Sequence, residues 1–293
     1  MIDLHIHTTY SDGADSLIDV LKKAEEKGLS YISITDHDNC NAYKELKNID
    51  VKKYYTGTII PGIEIKCSYQ GRLIEVLGYK IDTDKMQNWA DDYYKDKTRE
   101  MLQQKYFDKT YENCVTHGLI LPPKQNIKFN PSKDWASLTI YNELVKDERN
   151  KTKAESDLLD DFNTFSKKYC GNKKHFLYID KTKDYPDLQM VMDKIRECNG
   201  LVFMPHLFIY RWTENKKEFI DQLLKDYKVD GIECMHSEFN EDEIKYLIEL
   251  CEKRGYDKSG GSDYHGVNKP GVKLAFGKDN LNIPREMIKN WED

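Results

Sequence analysis

His5 and His7 flank a single isoleucine in the run Asp3 to His7, which reads as a short strand. Side chains alternate across a strand, so residues i and i+2 share a face and two imidazoles can converge on one cation. A surface strand can carry such a pair without any ligand, so the neighbours decide. Ser11-Asp12-Gly13 follows as a turn that presents the Asp12 carboxylate at the strand end. Ile34-Thr35-Asp36-His37-Asp38 then breaks from apolar to polar where a second strand ends. Asp36 and His37 are adjacent and cannot both point inward, which makes one a ligand and the other a supporting group; the plainer reading is that Asp36 caps the next helix.

Glu64 stands alone among apolar residues in Pro61-Gly62-Ile63-Glu64-Ile65, and Glu75 does the same in Leu73-Ile74-Glu75-Val76-Leu77. Burying an unpaired carboxylate costs several kcal/mol, on the order of 3–5, and a metal ion would supply the partner. A later strand, Val202 to Met204, runs into Pro205-His206, and Asp263-Tyr264-His265 repeats the i, i+2 spacing with one acid and one imidazole.

The elements that must hold these residues can be read in the same way. Short apolar runs at Tyr31 to Thr35, Thr58 to Lys66, Leu73 to Tyr79, Leu201 to Met204 and Gly231 to Met235 alternate with amphipathic stretches such as Ser16 to Lys27 and Glu241 to Arg254. Asp15 or Ser16 can cap a helix that stops at Gly28, and Asn240 one that stops at Gly255. This alternation predicts an α/β chain with a mainly parallel sheet or barrel, whose active sites form at the C-terminal strand ends. Between residues 85 and 190 glycine is scarce, with only Gly118 and Gly171, and the texture is charged, aromatic and helical. That stretch predicts a helical insertion subdomain at 86–190, flanked by a barrel domain made of 1–85 and 191–293.

Composition narrows the function. The 293 residues carry 45 Lys+Arg against 51 Asp+Glu, and the resulting net charge of -6 argues against a non-specific nucleic-acid coat. No apolar run approaches the roughly 20 residues needed to span a bilayer, and the charged N-terminus lacks a signal-peptide core. These features predict a cytoplasmic, unprocessed chain with no membrane partner. The seven scattered cysteines read as reduced thiols, neither a disulfide framework nor a zinc knot.

The motifs HIHTTYSDG, ITDHD, GIEI, LGY (Leu77 to Tyr79), Pro205-His206 and GGSDYHG occur in one order and together resemble the polymerase and histidinol phosphatase (PHP) superfamily of metal-dependent phosphoesterases. The resemblance covers roughly residues 1–81 and 200–277. It implies a distorted (β/α)7 barrel of PHP type that holds two or three divalent ions (Mn²⁺, Fe²⁺ or Zn²⁺). It assigns His5, His7, Glu64 and Asp263 to a first ion, Glu64, His206 and position 75 to a second, and Asp12, His37 and His265 to a third. The commoner family pattern has histidine where this chain has Glu75; a carboxylate there shifts preference towards Mn²⁺ or Fe²⁺.

Glu64, Asp263 and His265 are the residues expected at the catalytic step. Three divalent ions facing Asp12, Glu64, Glu75 and Asp263 leave a residual charge of about +2, suited to a phosphate dianion, and a metal-bridging water of lowered pKa serves as nucleophile. The expected substrates are small phosphorylated metabolites, nucleoside 3',5'-bisphosphates foremost. The alternatives are 5'-3' exoribonuclease action on short RNA, histidinol phosphatase activity, or a PHP domain without catalysis. Amidohydrolases also open with HxH, but the acid at Glu64 and the Asp263-x-His265 pair point away from them. Arg211 and His236 are expected substrate contacts on the rim. His117, before Gly118 at a helix end, reads as structural.

Overall fold

The computed structural model describes residues 1–278 and 280–292. One compact unit comprises Met1–Asp91 and Tyr185–Asp293, and a second comprises Asp92–Asp184.

Among the described residues the first unit carries all the strands: β1 (Ile2–Ile6), β2 (Tyr31–Ile34), β3 (Thr58–Ile59), β4 (Gly62–Tyr69), β5 (Arg72–Tyr79), β6 (Leu201–Met204), β7 (Gly231–His236) and β8 (Asp257–Gly261). Its first helices are α1 (Leu17–Glu26), α2 (Asn41–Leu46) and most of α3 (Thr83–Tyr94). The second unit contains α4 (Arg99–Thr116), α5 (Ala136–Leu144), α6 (Asn150–Lys153) and a π-helical turn at Thr164–Cys170. The chain then returns to the first unit as α7 (Leu188–Glu197), α8 (Lys216–Asp226) and α9 (Glu241–Arg254). Capping sets several boundaries. The Ser16 side chain accepts from Asp19 N, and Asn240 and Glu243 form a reciprocal capping box at the start of α9, which ends on Gly255 at φ 72°.

The strands form two ladders, a parallel sheet β1-β2-β3 and a five-stranded sheet β4-β5-β6-β7-β8. Single bridges at Ile6–Tyr264 and His37–Glu64 connect them. The fold is α/β as expected, but the sheets do not close into one ladder, and β5 runs antiparallel to both β4 and β6. The cause is local. Gln70-Gly71, with φ of 47° and 69°, makes a two-residue hairpin that reverses the chain at once where a helical crossover would have kept it parallel. The continuous run Thr58 to Lys66 is two strands, broken at Pro61, and β8, with the sequence DKSGG, is not one of the apolar runs that marked the other strands.

Apolar packing fixes the strand ends beneath the site. Ile2 and Leu4 of β1, Leu77 and Tyr79 of β5, Phe203 of β6 and Trp291 pack as one buried group drawn from both sheets. A larger core joins α1, α7 and α8 to the strands through residues such as Leu21, Ile195, Ile220 and Ile232. Asp3, fully buried in β1, accepts from Ser262 N (2.9 Å), Ser262 Oγ (2.5 Å) and Ala275 N (2.7 Å), which ties the first strand to the segments after β8. β8 approaches so closely that a Cβ on Gly261 would lie 2.2 Å from His5 Cβ. The second unit has its own core, including Phe107, Ile140, Leu144 and Phe165, and Asn150 bonds the backbone of Ile120 and Leu144.

Candidate metal centre

The strand ends of the first unit place the expected ligands together. Glu64 of β4, about 1% exposed, lies at the middle: its Oε1 is 2.8 Å from His206 Nε2, and its Oε2 is 3.3 Å from His5 Nε2, 3.3 Å from His7 Nε2 and 3.2 Å from His37 Nδ1. Asp263 Oδ1 lies 3.5 Å from His5 Nε2 and 3.2 Å from His7 Nε2. Asp12 reaches His265 Nε2 at 3.1 Å and His37 Nε2 at 3.7 Å. Glu75 Oε2 lies 3.5 Å from His206 Nε2. Backbone geometry at the strand ends aims these side chains: His206 (φ 34°) and Asp263 (φ 53°) both occupy the left-handed region, a strain of order 1–3 kcal/mol that tends to persist at functional sites.

Three sets of ligand atoms each lie within 4.8 Å of one another: His7, Asp12, His37 and His265; His5, His7 and Glu64; His37, Glu64 and Glu75. The sets overlap more than the resemblance implied, since His7 also joins the Asp12 set and His37 also reaches Glu64 and Glu75. His5 Nε2, His7 Nε2, His37 Nδ1 and Asp12 Oδ1 are buried with no hydrogen-bond partner among the described residues. Buried polar atoms are normally satisfied, so unpartnered nitrogens facing a shared carboxylate fit a cation that the protein is built to receive.

The charges respond accordingly. Burial alone would lower the His5 imidazolium, but Glu64, Glu233 and Asp263 raise its pKa well above the usual value; for His7 burial is likewise outweighed, and Asp263 and Glu64 push the pKa up to about 10. Burial would raise Glu64, yet His5, His37 and His206 bring it well below the ordinary carboxylate range. Burial and the neighbouring His7 instead lower the pKa of His37.

A sequence model of the PHP domain matches residues 3–275, a span that contains the whole cluster. The chain belongs to the PHP family. Over 99% of this PHP chain and 97% of its relative, it is 22% identical to a 5'-3' exoribonuclease of Haemophilus influenzae. A phosphoribosyl 1,2-cyclic phosphate 1,2-diphosphodiesterase of Eggerthella lenta is 28% identical over 27% of this chain and 30% of its own length. Among solved structures, a Bifidobacterium adolescentis protein whose name proposes a metal-dependent phosphoesterase superposes with a TM-score of 0.66 at 17% identity, covering 99% of this chain and 94% of that one. That likeness is one of fold.

Other expected residues take different places in this PHP chain. Asp36 is not at the ligand cluster and caps no helix; it holds the loop after β1, accepting from Thr8 N (2.8 Å), Thr8 Oγ1 (2.6 Å) and Ser11 Oγ (2.5 Å), and leaves the cluster to His37. His236 is buried beside the cluster, its Nε2 3.5 Å from Asp263 Oδ2. Its Nδ1 accepts from Glu238 N at 3.1 Å, so in the neutral ring the proton sits on Nε2, which makes that atom a donor and not a metal ligand. Arg211 is exposed in the loop after β6. His117 bonds Asn113 O and stacks on Phe176, and His175 pairs with Glu155, both within the second unit.

Sequence reasoning passed over Glu233. Fully buried in β7, it accepts from His5 Nδ1 (2.8 Å) and from His206 N (2.7 Å), so it orients one imidazole with Nε2 free and pins the backbone that presents another. The signal was available: Ile232-Glu233-Cys234 is a lone acid in an apolar strand, as Glu64 and Glu75 are. Lys269 was also missed; its Nζ is 2.6 Å from Asp263 Oδ2 and 3.2 Å from Glu238 Oε1, which leaves Oδ1 as the Asp263 oxygen that faces His5 and His7.

Proposed function

We propose that the chain is a metal-dependent phosphoesterase that hydrolyses small nucleotides, with nucleoside 3',5'-bisphosphates as the leading substrates. The observation that carries this reading is the convergence of unpartnered buried nitrogens from His5, His7 and His37 on Glu64. His5, His7, Asp12, His37, Glu64, Glu75, His206, Asp263 and His265 would hold two or three divalent ions, and Glu64, Asp263 and His265 would lie at the reacting phosphorus. Bound there, such ions supply Lewis-acid charge neutralisation and a nucleophile of lowered pKa. The two sheets, joined at single bridges, are read as an opened form of the distorted (β/α)7 barrel.

The protein's own residues do the positioning. Glu233 keeps the His5 ring oriented, and Lys269 keeps Asp263 from turning away. His236, expected to contact the substrate, is buried with its Nε2 directed at Asp263 Oδ2 3.5 Å away, so we assign it to holding that carboxylate towards the substrate. We assign Arg211, exposed beyond β6, to the distal part of the substrate, and the helical insertion to the choice of substrate. A second reading is 5'-3' exoribonuclease action on short RNA, favoured by the end-to-end similarity to the Haemophilus relative. A 5'-phosphorylated nucleotide bearing a 3' phosphoester is common to both readings.

A phosphate-release screen with Mn²⁺, run over nucleoside bisphosphates, 5'-phosphorylated oligoribonucleotides, sugar phosphates and histidinol phosphate, tests the proposal. Fastest turnover of a 3',5'-bisphosphate supports the first reading, and processive release of mononucleotides from RNA supports the second. No turnover of any phosphoester would overturn both.

A further inference from the structure

Lys66 lies on the same face of β4 as Glu64, two residues away, and the antiparallel register sets it opposite Glu75 of β5. Its Nζ is 3.2 Å from Glu75 Oε1, while Glu75 Oε2 faces His206 Nε2 at 3.5 Å. The acid is therefore shared between an ammonium and an imidazole. Where the family pattern has a neutral histidine, this chain carries an anion and, across the ladder, a cation that balances it.

Position and valence suggest more than neutralisation. The Lys66 side chain is 33% exposed, against 1% for Glu64, so it stands at the mouth of the cluster. A lysine ammonium has three donors, and among the described residues Glu75 is the acid within ion-pair distance of this one. Lys269, the other lysine at the cluster, already serves both Asp263 and Glu238. A part-exposed lysine bonded to Glu75 beside the candidate metal cluster, with Tyr185 and Asp38 also acting on its charge, carries the charge needed to take a phosphate oxygen.

We propose that Lys66 is a substrate-binding residue that contacts a phosphate oxygen of the substrate while its bond to Glu75 limits that acid to one-oxygen contact with the cluster. The assignment rests on the phosphoesterase reading, but its test reads binding and not turnover. Inorganic phosphate is titrated calorimetrically into Mn²⁺-loaded parent, Lys66→Met, Lys66→Gln and Lys66→Arg proteins, and metal content is measured on the same samples. Lys66→Met and Lys66→Gln should weaken phosphate binding at least about tenfold, the scale of one lost charge-assisted hydrogen bond, with metal content unchanged, and Lys66→Arg should stay within about threefold of the parent. With the best substrate, KM should rise in the same proportion while kcat changes by less than about threefold. If Lys66→Met does not fold, Lys66→Gln is judged by the same criteria. Unchanged phosphate affinity in the charge-removing variants would overturn the proposal. So would a loss of affinity that tracks a loss of metal, because Lys66 would then act only through Glu75. Intact phosphate binding at Lys66 without hydrolysis of any ester would overturn the function and leave this assignment standing.

Discussion

Glu64→Gln replaces one oxygen by an amide nitrogen at the centre of the cluster and leaves the volume nearly unchanged. At 3.3 Å and an effective dielectric near 20, a pair of unit charges is worth about 5 kcal/mol. If relaxation and water recover half of that, about 2.5 kcal/mol is still lost, which approaches a hundredfold in the affinity of a single ion. A divalent ion interacts more strongly, and Glu64 faces four imidazoles that would share such ions, so the expected loss is at least one ion per chain. The assay is elemental analysis after Mn²⁺ reconstitution and desalting, with phosphate release measured in parallel and expected to fall by about a thousandfold. The fold should survive, because the amide oxygen can still accept from His206 Nε2, and circular dichroism checks this. A folded Glu64→Gln protein with parental metal content and turnover would refute the placement of Glu64 at the centre.

Four further outcomes follow from the same geometry. Since His7 is held protonated in the metal-free protein, with its pKa pushed up to about 10 from 6.5, metal uptake at pH 7 must release protons and weaken on acidification; calorimetry in buffers of different ionisation enthalpy reads this directly. By the same linkage, the contribution of His7 to the metal-free fold is complete below pH 6.5 and is lost as pH rises towards about 10, visible as a falling Tm in chelator. Glu233→Gln should lower metal affinity by about 10–100-fold, as supporting carboxylates do when replaced, and parental affinity would remove its orienting role. Gly261→Ala forces a methyl to within 2.2 Å of His5 Cβ and should cost about 1–3 kcal/mol, with Tm and metal content falling together.

Residues whose chemistry conflicts with their setting were the ones most legible in the sequence. Lone acids and histidines at the ends of apolar runs pointed to one another, and the structure brings His5, His7, Asp12, His37, Glu64, Glu75, His206, Asp263 and His265 within a few ångströms of their neighbours. Caps and helices with strong local signals, such as Asn240 to Gly255, emerged at the expected bounds. Features that depend on tertiary partners were harder to see. β8 has two glycines and little β propensity; it is a strand because β7 pairs with it and because only glycine fits against His5. The antiparallel β4–β5 hairpin turned on Gln70-Gly71, a weaker signal than Asn-Gly. The partners of Lys66 and Lys269 are set by strand register and loop folding, which residue spacing does not reveal.

The central claim is that this cluster binds metal for phosphoester hydrolysis. Its most direct test is to measure ions per chain and phosphate release together as Mn²⁺ is titrated into chelator-stripped protein. The account predicts at least two ions per chain, with activity absent at zero occupancy and rising with it. Fewer than one ion per chain at saturation, or phosphate release that is unchanged by stripping, would contradict it.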